Sequence, residues 1–296
     1  MDSLRQKTET FHPPSNAHPV SSQSVPLGLS ISTAFTPSEL VDGAAPDLLI
    51  VTSDAVHFHV HTRSILALST NAFNRALASP VNTLVVMETA AVMNVVLNVL
   101  YGWSCIVYEP EFEDVVVALA ALVKYGASLP TLAVAPLPLF DLLLAQAPLH
   151  AIDIYASAGQ YELEDVAVAV SAHLLAFSPS QLTDELALQM GPVYFKRILD
   201  LQQNRLLALK GIVLDPPAKH PPTLTCNIAS RDELTTSWAL ATAQLVWDAC
   251  PSISTDALQS AFERTCTGIS CPDCRIKLQS RVQEVTRAWS AVKRTI

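Results

Sequence analysis

The C-terminal part of this sequence holds the residues whose spacing best suits metal binding. Cys271 and Cys274 form a C-x2-C pair, and Cys266 lies five residues before the first of them. Thiolates at this spacing suit a shared tetrahedral zinc ion. Further candidate ligands, all earlier in the chain, are His220, Cys226 and Cys250. The pattern predicts a zinc site that contains Cys226, Cys266, Cys271 and Cys274.

Two other interpretations of these cysteines stay open. The sequence has no second C-x2-C pair, so the pattern matches no standard zinc ribbon. Free cysteines also pack as small hydrophobic residues, in which case the chain needs no cofactor. A thiol redox sensor at Cys271 and Cys274 is the third interpretation, because a helix N-terminus lowers a thiol pKa. The flanking βαβ pattern of thioredoxin-like proteins is missing, which disfavours it.

Histidine occupies every second position in the segment VHFHVHTRS, at His57, His59 and His61. Alternate side chains of a β-strand share one face, so a strand here places all three imidazoles together. Neutral imidazole is a common zinc ligand, which makes the triad a second candidate site. No carboxylate is evident as a partner that would orient the rings, and this favours three histidines without a metal.

Sequence motifs of common enzyme classes are absent. The chain has no G-x-S-x-G, G-x-G-x-x-G or P-loop motif and only eight glycines. Acidic clusters at 109–114 and 162–165 would suit acid–base pairs. Both fall at the start of a predicted helix, where carboxylates simply stabilise the helix dipole. We therefore expect a protein that is not an enzyme.

Hydrophobic periodicity predicts an α+β chain whose strands lie near the N-terminus. DLLIVTS is a short apolar run and VHFHV alternates, so together they predict the two strands of a hairpin. LVVM (84–87) and CIVY (105–108) are further short strands. Short helices are expected between 62 and 77. The longer predicted helices cover 89–101, 111–125, 136–146, 148–158, 162–176, 179–189, 191–210, 232–249, 254–265 and 272–293.

Composition divides the chain into five parts. Residues 1–45 are rich in Pro, Ser and Thr and predict a disordered arm. A mixed unit follows over 46–127, and an all-helical extension over 128–212. The stretch DPPAKHPPT holds four of the twenty prolines and predicts a linker over 213–223. Residues 224–296 then form a small helical unit with the cysteine cluster.

The overall composition narrows the function classes. Hydrophobic residues make up 50% and charged residues 15%, against roughly 25% charged in an ordinary soluble domain. A net charge of −9 argues against nucleic-acid binding, which needs clustered Lys and Arg. Neither a membrane span nor a secretory signal is evident. Cysteines in such a chain indicate a reducing compartment, so we expect the cytoplasm, the nucleus or both.

Residues 47–125 resemble a BTB (POZ) domain, an interaction fold of transcription factors and ubiquitin-ligase adaptors. The resemblance rests on DLLIV, FHVHTRSILAL, STNAFNRAL and the Lys124-Tyr125 pair, in the family's order and spacing. The matching positions are Asp47, His61, Leu66, Ser69, Phe73, Tyr101 and Tyr125. The region 130–210 and the cysteine-rich end also resemble fungal BTB-domain proteins of undetermined function.

The resemblance implies a BTB fold, a small sheet flanked by helices, with the helical extension after it. It gives His61 a structural role at the start of the first helix. His57 and His59 then lie on the outer face of a strand, opposite Phe58 and Val60, which point into the core. A metal at the triad is therefore not expected.

In function, the resemblance implies a non-catalytic protein–protein interaction module that forms a homodimer and recruits partners. One subtype is the substrate adaptor of a cullin-based ubiquitin ligase, although the loop ALASPVNTL (76–84) lacks the glutamate that such adaptors carry there. A transcription or chromatin regulator with a zinc-bearing C-terminal unit is another alternative. Direct DNA contact is not expected of it, because no C-x2-4-C-x12-H-x3-5-H pattern is present.

Overall fold

The computed structural model describes residues 30–223, 226–265 and 267–296. The first 29 residues of the predicted arm, and the candidate ligand Cys266, lie outside this described part. The architecture is α+β, with one small sheet near the N-terminus followed by helices, as the sequence predicts.

The sheet has four strands: β1 (Ser30–Ile31), β2 (Leu48–Val51), β3 (Val56–Val60) and β4 (Thr83–Val85). Their order in the sheet is β1-β3-β2-β4. The predicted hairpin is confirmed, because β2 and β3 pair antiparallel with Leu48 opposite Val60. The predicted strand at 84–87 is confirmed in position by β4, which pairs parallel with β2.

Strand β3 has the alternation that its sequence predicts. Phe58 and Val60 are fully buried, while His57 and His59 are half-buried on the opposite face. On β2 the same face as the histidines carries Leu49 and no charged side chain. One side of the sheet therefore packs on the helices, and the other side is more open.

The prediction of disorder up to residue 45 is wrong for the part that the structure describes. Strand β1 pairs parallel with β3, and Phe35 is only 1% exposed. The Phe35 ring contacts the rings of Phe58, Tyr101 and Trp103, with centroids 5.2–6.0 Å apart. The buried Phe35 ring and the backbone hydrogen bonds of β1 order this segment, although its sequence shows no apolar periodicity.

The helices follow the predicted positions closely. They are α1 (Thr62–Ala67), α2 (Ala90–Tyr101), α3 (Phe112–Lys124), α4 (Leu129–Leu132), α5 (Pro138–Gln160), α6 (Glu164–Ser171), α7 (Asp184–Leu214), α8 (Ile228–Trp247), α9 (Thr255–Thr265) and α10 (Pro272–Ser290). Local signals define α2, since the Thr89 hydroxyl accepts the Val92 N–H and Gly102 ends the helix in the left-handed region.

Two local predictions are wrong. The expected strand at 105–108 is a 3-10 turn over Ile106–Tyr108, and none of the described strands pairs with it. The segment after Ser69 is a left-handed turn over 72–75 instead of a helix. The Ser69 hydroxyl and the Asn71 side chain hold this turn by accepting the backbone N–H groups of Phe73 and Asn74.

Two pairs of predicted helices adjoin one another at a single non-helical residue. The break within α5 is at His150, two residues after Pro148, and the break within α7 is at Gly191, which has φ 72° and directly precedes Pro192. A proline in a helical stretch lacks a backbone donor and kinks or breaks the helix. The boundaries predicted from these prolines and this glycine are therefore confirmed in position.

Two hydrophobic cores are formed. The first extends from Phe35 to Leu201, and the second from Leu209 to Trp289. Helix α7 contributes to both, so the C-terminal core begins before the predicted linker at 213–223. Among the residues that the structure describes, every helix is too short or too polar to cross a lipid bilayer.

Candidate metal centre

Four buried side chains from three segments converge in the C-terminal unit. His220 comes from the proline-rich stretch, Cys226 from the turn after it, and Cys271 and Cys274 from the start of α10. Their ligand atoms all lie within 4.8 Å of one another. This cluster could hold a metal ion such as zinc.

The distances between the ligand atoms suit a tetrahedral zinc ion. His220 Nε2 lies 3.3 Å from Cys274 Sγ and 3.5 Å from Cys271 Sγ, and Cys226 Sγ lies 3.8 Å from Cys274 Sγ. Tetrahedral zinc with the usual Zn–S and Zn–N bond lengths requires S···S separations of about 3.8 Å and N···S separations of about 3.5 Å. The donor set thus fits zinc in chemistry and in spacing.

The start of α10 prepares one thiol for ligation. Cys271 is the residue just before the helix, Pro272 is its first residue, and Cys274 follows within the first turn. The backbone N–H groups of Cys274 and Asp273 point to the Cys271 sulfur and lower its pKa to about 7. Burial raises the pKa of the Cys274 and Cys226 thiols instead. Metal binding at neutral pH therefore has to displace protons from these two sulfurs.

Two further contacts orient the site. The Nδ1 atom of His220 lies 2.7 Å from the carbonyl oxygen of Pro221, so a proton on Nδ1 leaves the Nε2 lone pair directed at the thiols. Arg231 donates from Nη1 to the carbonyl oxygen of His220 at 3.0 Å. Its positive charge also lowers the pKa of Cys226, against the larger opposite effect of burial. Its buried Nε has no hydrogen-bond partner among the described residues.

The structure brings together Cys226, Cys271 and Cys274, three of the four cysteines predicted as ligands. The fourth member of the cluster is His220, which the sequence offered as a further candidate. Cys266 lies outside the described residues, so its place stays a prediction. Cys250 is exposed and accepts a hydrogen bond from the Ser252 hydroxyl at 3.6 Å, away from the cluster. Cys105 is buried in the first core, where burial raises the pKa of its thiol.

The three histidines of the triad do not share one environment. His61 is buried, and its Nδ1 and Nε2 atoms contact the Tyr101 hydroxyl at 3.0 Å and the Ala44 carbonyl oxygen at 3.1 Å. Both ring nitrogens of His61 are thus engaged by the protein. His57 and His59 lie on the other side of the sheet from the first core, and neither belongs to a described cluster of three or more potential metal ligands.

The residues predicted from the BTB resemblance lie in two groups of contacts. In the first group, Asp47 Oδ1 accepts the Thr62 N–H at 2.7 Å, and the Tyr101 hydroxyl accepts the His61 N–H at 2.6 Å. The first bond joins the residue before β2 to the start of α1, and the second joins the residue after β3 to the end of α2. Leu66, in α1, is half-buried against the first core.

In the second group, Ser69 Oγ donates to the Tyr125 carbonyl at 2.6 Å and accepts the Phe73 N–H at 2.7 Å. The rings of Phe73 and Tyr125 stack in parallel, with centroids 3.9 Å apart. Tyr125 and Lys124 both donate to the carboxylate of Glu88, which sequence reasoning missed. Burial alone would raise the pKa of Glu88, but these two hydrogen bonds outweigh it and hold the pKa below its ordinary value.

Comparison of the chain with protein-family models, with curated proteins and with solved structures finds no match.

Proposed function

We propose that this chain is a non-catalytic protein-interaction protein. In this proposal, a BTB-type unit over 46–127 pairs with a second copy and recruits protein partners, and a structural zinc ion stabilises the C-terminal helical unit. The observation that carries it is the closed donor set at His220, Cys226, Cys271 and Cys274. Four protein ligands leave no open position for a substrate or a reactive water.

Zinc is the metal that this donor set favours. Three thiolates and one imidazole form one of the common ligand sets of structural zinc sites. When bound, zinc would hold the proline-rich stretch, the turn at Cys226 and the start of α10 together, and would thereby stabilise the second core. Three thiolates and a divalent ion carry a net charge of −1, which the neighbouring Arg231 guanidinium offsets.

The orientation of His220 also favours zinc over a redox role for Cys271 and Cys274. A dithiol redox pair needs two sulfurs and a means to lower one thiol pKa. It does not need an imidazole directed at both sulfurs, nor a third cysteine 3.8 Å from Cys274. The complete set of four donors is what a metal requires.

Two observations support the interaction role. Of the positions expected from the BTB resemblance, His61 contacts Tyr101, and Ser69 contacts Phe73 and Tyr125. At the edge of the sheet, β4 and the residues after it leave Val85 and Met87 71% and 81% exposed. An exposed apolar sheet edge favours pairing with another chain.

The test uses the full chain loaded with zinc. Light scattering over a range of concentrations reports the oligomeric state, and titration with the N-terminal domain of the BTB-binding cullin reports recruitment. A dimer, or saturable cullin binding at micromolar Kd or better, is the expected result; cullin binding would also make the chain a ligase adaptor. A cullin that binds no BTB protein is the control. A folded monomer that binds neither itself nor the cullin contradicts the interaction proposal.

A further inference from the structure

A surface groove lies where the start of α3 faces the first half of α5. Its walls include Glu109, Glu111 and Glu113 on one side and Leu142 and Leu149 on the other. We call this the acidic groove; its volume is about 520 Å³. That size is within the range of roughly 300–1,000 Å³ found for ligand sites.

Hydrogen bonding and ring stacking hold the two walls of the acidic groove together. Gln146, on α5, donates from Nε2 to the carbonyl oxygen of Pro110 at 2.9 Å. Phe112, at the start of α3, stacks in parallel on His150 with centroids 4.1 Å apart. The groove is therefore formed before any partner arrives, which reduces the ordering cost of binding.

The rim of the acidic groove exposes large apolar side chains. Leu149 is 86% exposed, and Ile106, which also lines the groove, is 38% exposed. Single exposed apolar residues are ordinary, but here two flank one preformed depression. Burial of such side chains against a partner is a main source of binding free energy.

The charges of the groove indicate which partner fits. Glu109, Glu111 and Glu113 are all exposed, and none of them forms an ion pair within the described residues. No described Lys or Arg lines the groove, so its potential is negative. A partner with positive charges beside an apolar anchor satisfies both the carboxylates and the apolar rim.

We propose that the acidic groove binds a protein segment in which one or two large aliphatic or aromatic side chains are flanked by Lys or Arg. This interaction is separate from dimerisation and from the zinc site, and does not depend on either. The carboxylates steer and orient the segment, and its apolar anchor packs against Ile106 and Leu149.

The probe for this proposal is a random 12-residue peptide library displayed on phage and selected against the zinc-loaded full chain. The enriched peptides are synthesised, and their affinities are measured by fluorescence anisotropy at two salt concentrations. We expect sequences rich in Lys or Arg next to Leu, Ile or Phe, with affinity that falls as salt rises. No enrichment, or enrichment of acidic or uncharged peptides, overturns the proposal.

Two variants place the binding at the groove. The triple change Glu109→Gln, Glu111→Gln and Glu113→Gln should weaken binding at least 10-fold and flatten its salt dependence, and Leu149→Ser should weaken it to a similar degree.

Each variant has a matched control. For the triple change it is Asp165→Asn with Asp184→Asn and Asp256→Asn, which removes equal charge from the first turns of other helices. For the apolar change it is Leu188→Ser, at a residue that is 83% exposed elsewhere. Circular dichroism checks that every variant is folded. Peptides that bind the groove variants and the unaltered chain equally well contradict the assignment.

Discussion

Arg205→Met should destabilise the C-terminal unit, because Arg205 joins α7 to the end of α10. The side chain is only 4% exposed. Its Nε donates to the carbonyl oxygen of Pro251 at 2.8 Å, and its Nη1 donates to the carbonyl oxygens of Val292 and Lys293, each at 2.9 Å. Its guanidinium carbon also lies 4.2 Å from the centroid of the Trp289 ring.

These contacts set the size of the expected effect. A hydrogen bond from a charged donor contributes about 1.5–3 kcal/mol, and the two bonds that share Nη1 count as roughly one. A partly desolvated cation–π contact adds about 1–2 kcal/mol. Burial of the charge offsets several kcal/mol of this sum. Methionine keeps much of the packing volume but no donor, so we expect a loss of about 3 kcal/mol in the free energy of unfolding.

Urea unfolding followed by circular dichroism and Trp fluorescence measures this loss. With a urea dependence of about 1–3 kcal/mol per molar, the midpoint should fall by about 1 M or more. Arg287→Met is the control, because it removes the same charge from an exposed position in the last turn of α10 and should cost less than about 1 kcal/mol. Equal stability of the two variants would refute the role assigned to Arg205.

Three further predictions concern single side chains. Tyr101→Phe removes the hydroxyl that accepts the buried His61 N–H, and should lower the free energy of unfolding by about 1–3 kcal/mol. Glu88→Gln should destabilise the chain at pH 7, where the carboxylate accepts two hydrogen bonds. Because folding holds the Glu88 pKa below its ordinary value of 4.5, that contribution is present above pH 4.5 and disappears as the pH falls further. Arg231→Met should weaken zinc binding roughly 10-fold at pH 7 in a competition titration with a chromophoric chelator.

Each of these predictions has a matched control. Tyr108→Phe removes a hydroxyl from a residue that is 44% exposed, and should leave stability unchanged within roughly 0.5 kcal/mol. Glu113→Gln changes an exposed carboxylate that forms none of the ion pairs among the described residues, and should leave stability at pH 7 unchanged within roughly 0.5 kcal/mol. Arg287→Met leaves the zinc ligands untouched. If the effect of Glu88→Gln stays constant from pH 7 to pH 3, the hydrogen bonds assigned to Glu88 are contradicted. If Arg231→Met leaves the zinc affinity unaltered, the role assigned to the Arg231 charge is contradicted.

The elements that sequence reasoning predicted well are those with local signals. Alternation in VHFHV places Phe58 and Val60 inside, and Thr89 and Gly102 limit α2. The pairing of β4 with β2 joins residues more than 30 positions apart, and periodicity alone cannot assign that partner.

The mispredicted segments depend on tertiary contacts. Phe35 is ordered by three aromatic rings from distant parts of the chain, and no pattern around it predicts this. Residues 105–108 have strand-like composition, but a short strand needs a neighbour, and none of the described strands pairs with them. By contrast, proline and glycine marked the breaks within α5 and α7 correctly, because both residue types act on the local backbone.

Sequence reasoning identified only part of the candidate metal centre. The C-x2-C pair at Cys271 and Cys274 is local, so spacing alone identifies it. His220 and Cys226 are more than 40 residues earlier, and only the fold shows that they are the ones that join the pair. The sequence pattern did not predict the roles of Arg231 and Arg205, because a single arginine in a helical pattern is usually a surface residue.

The zinc content of the full chain tests the central claim most directly. Elemental analysis of protein purified with zinc and freed of excess metal should find about one zinc ion per chain, and Cys271→Ser with Cys274→Ser should abolish it. Cys250→Ser, at the exposed cysteine outside the cluster, should retain the full amount. A folded chain that holds no zinc, or a double variant that holds as much as the unaltered chain, would contradict the account.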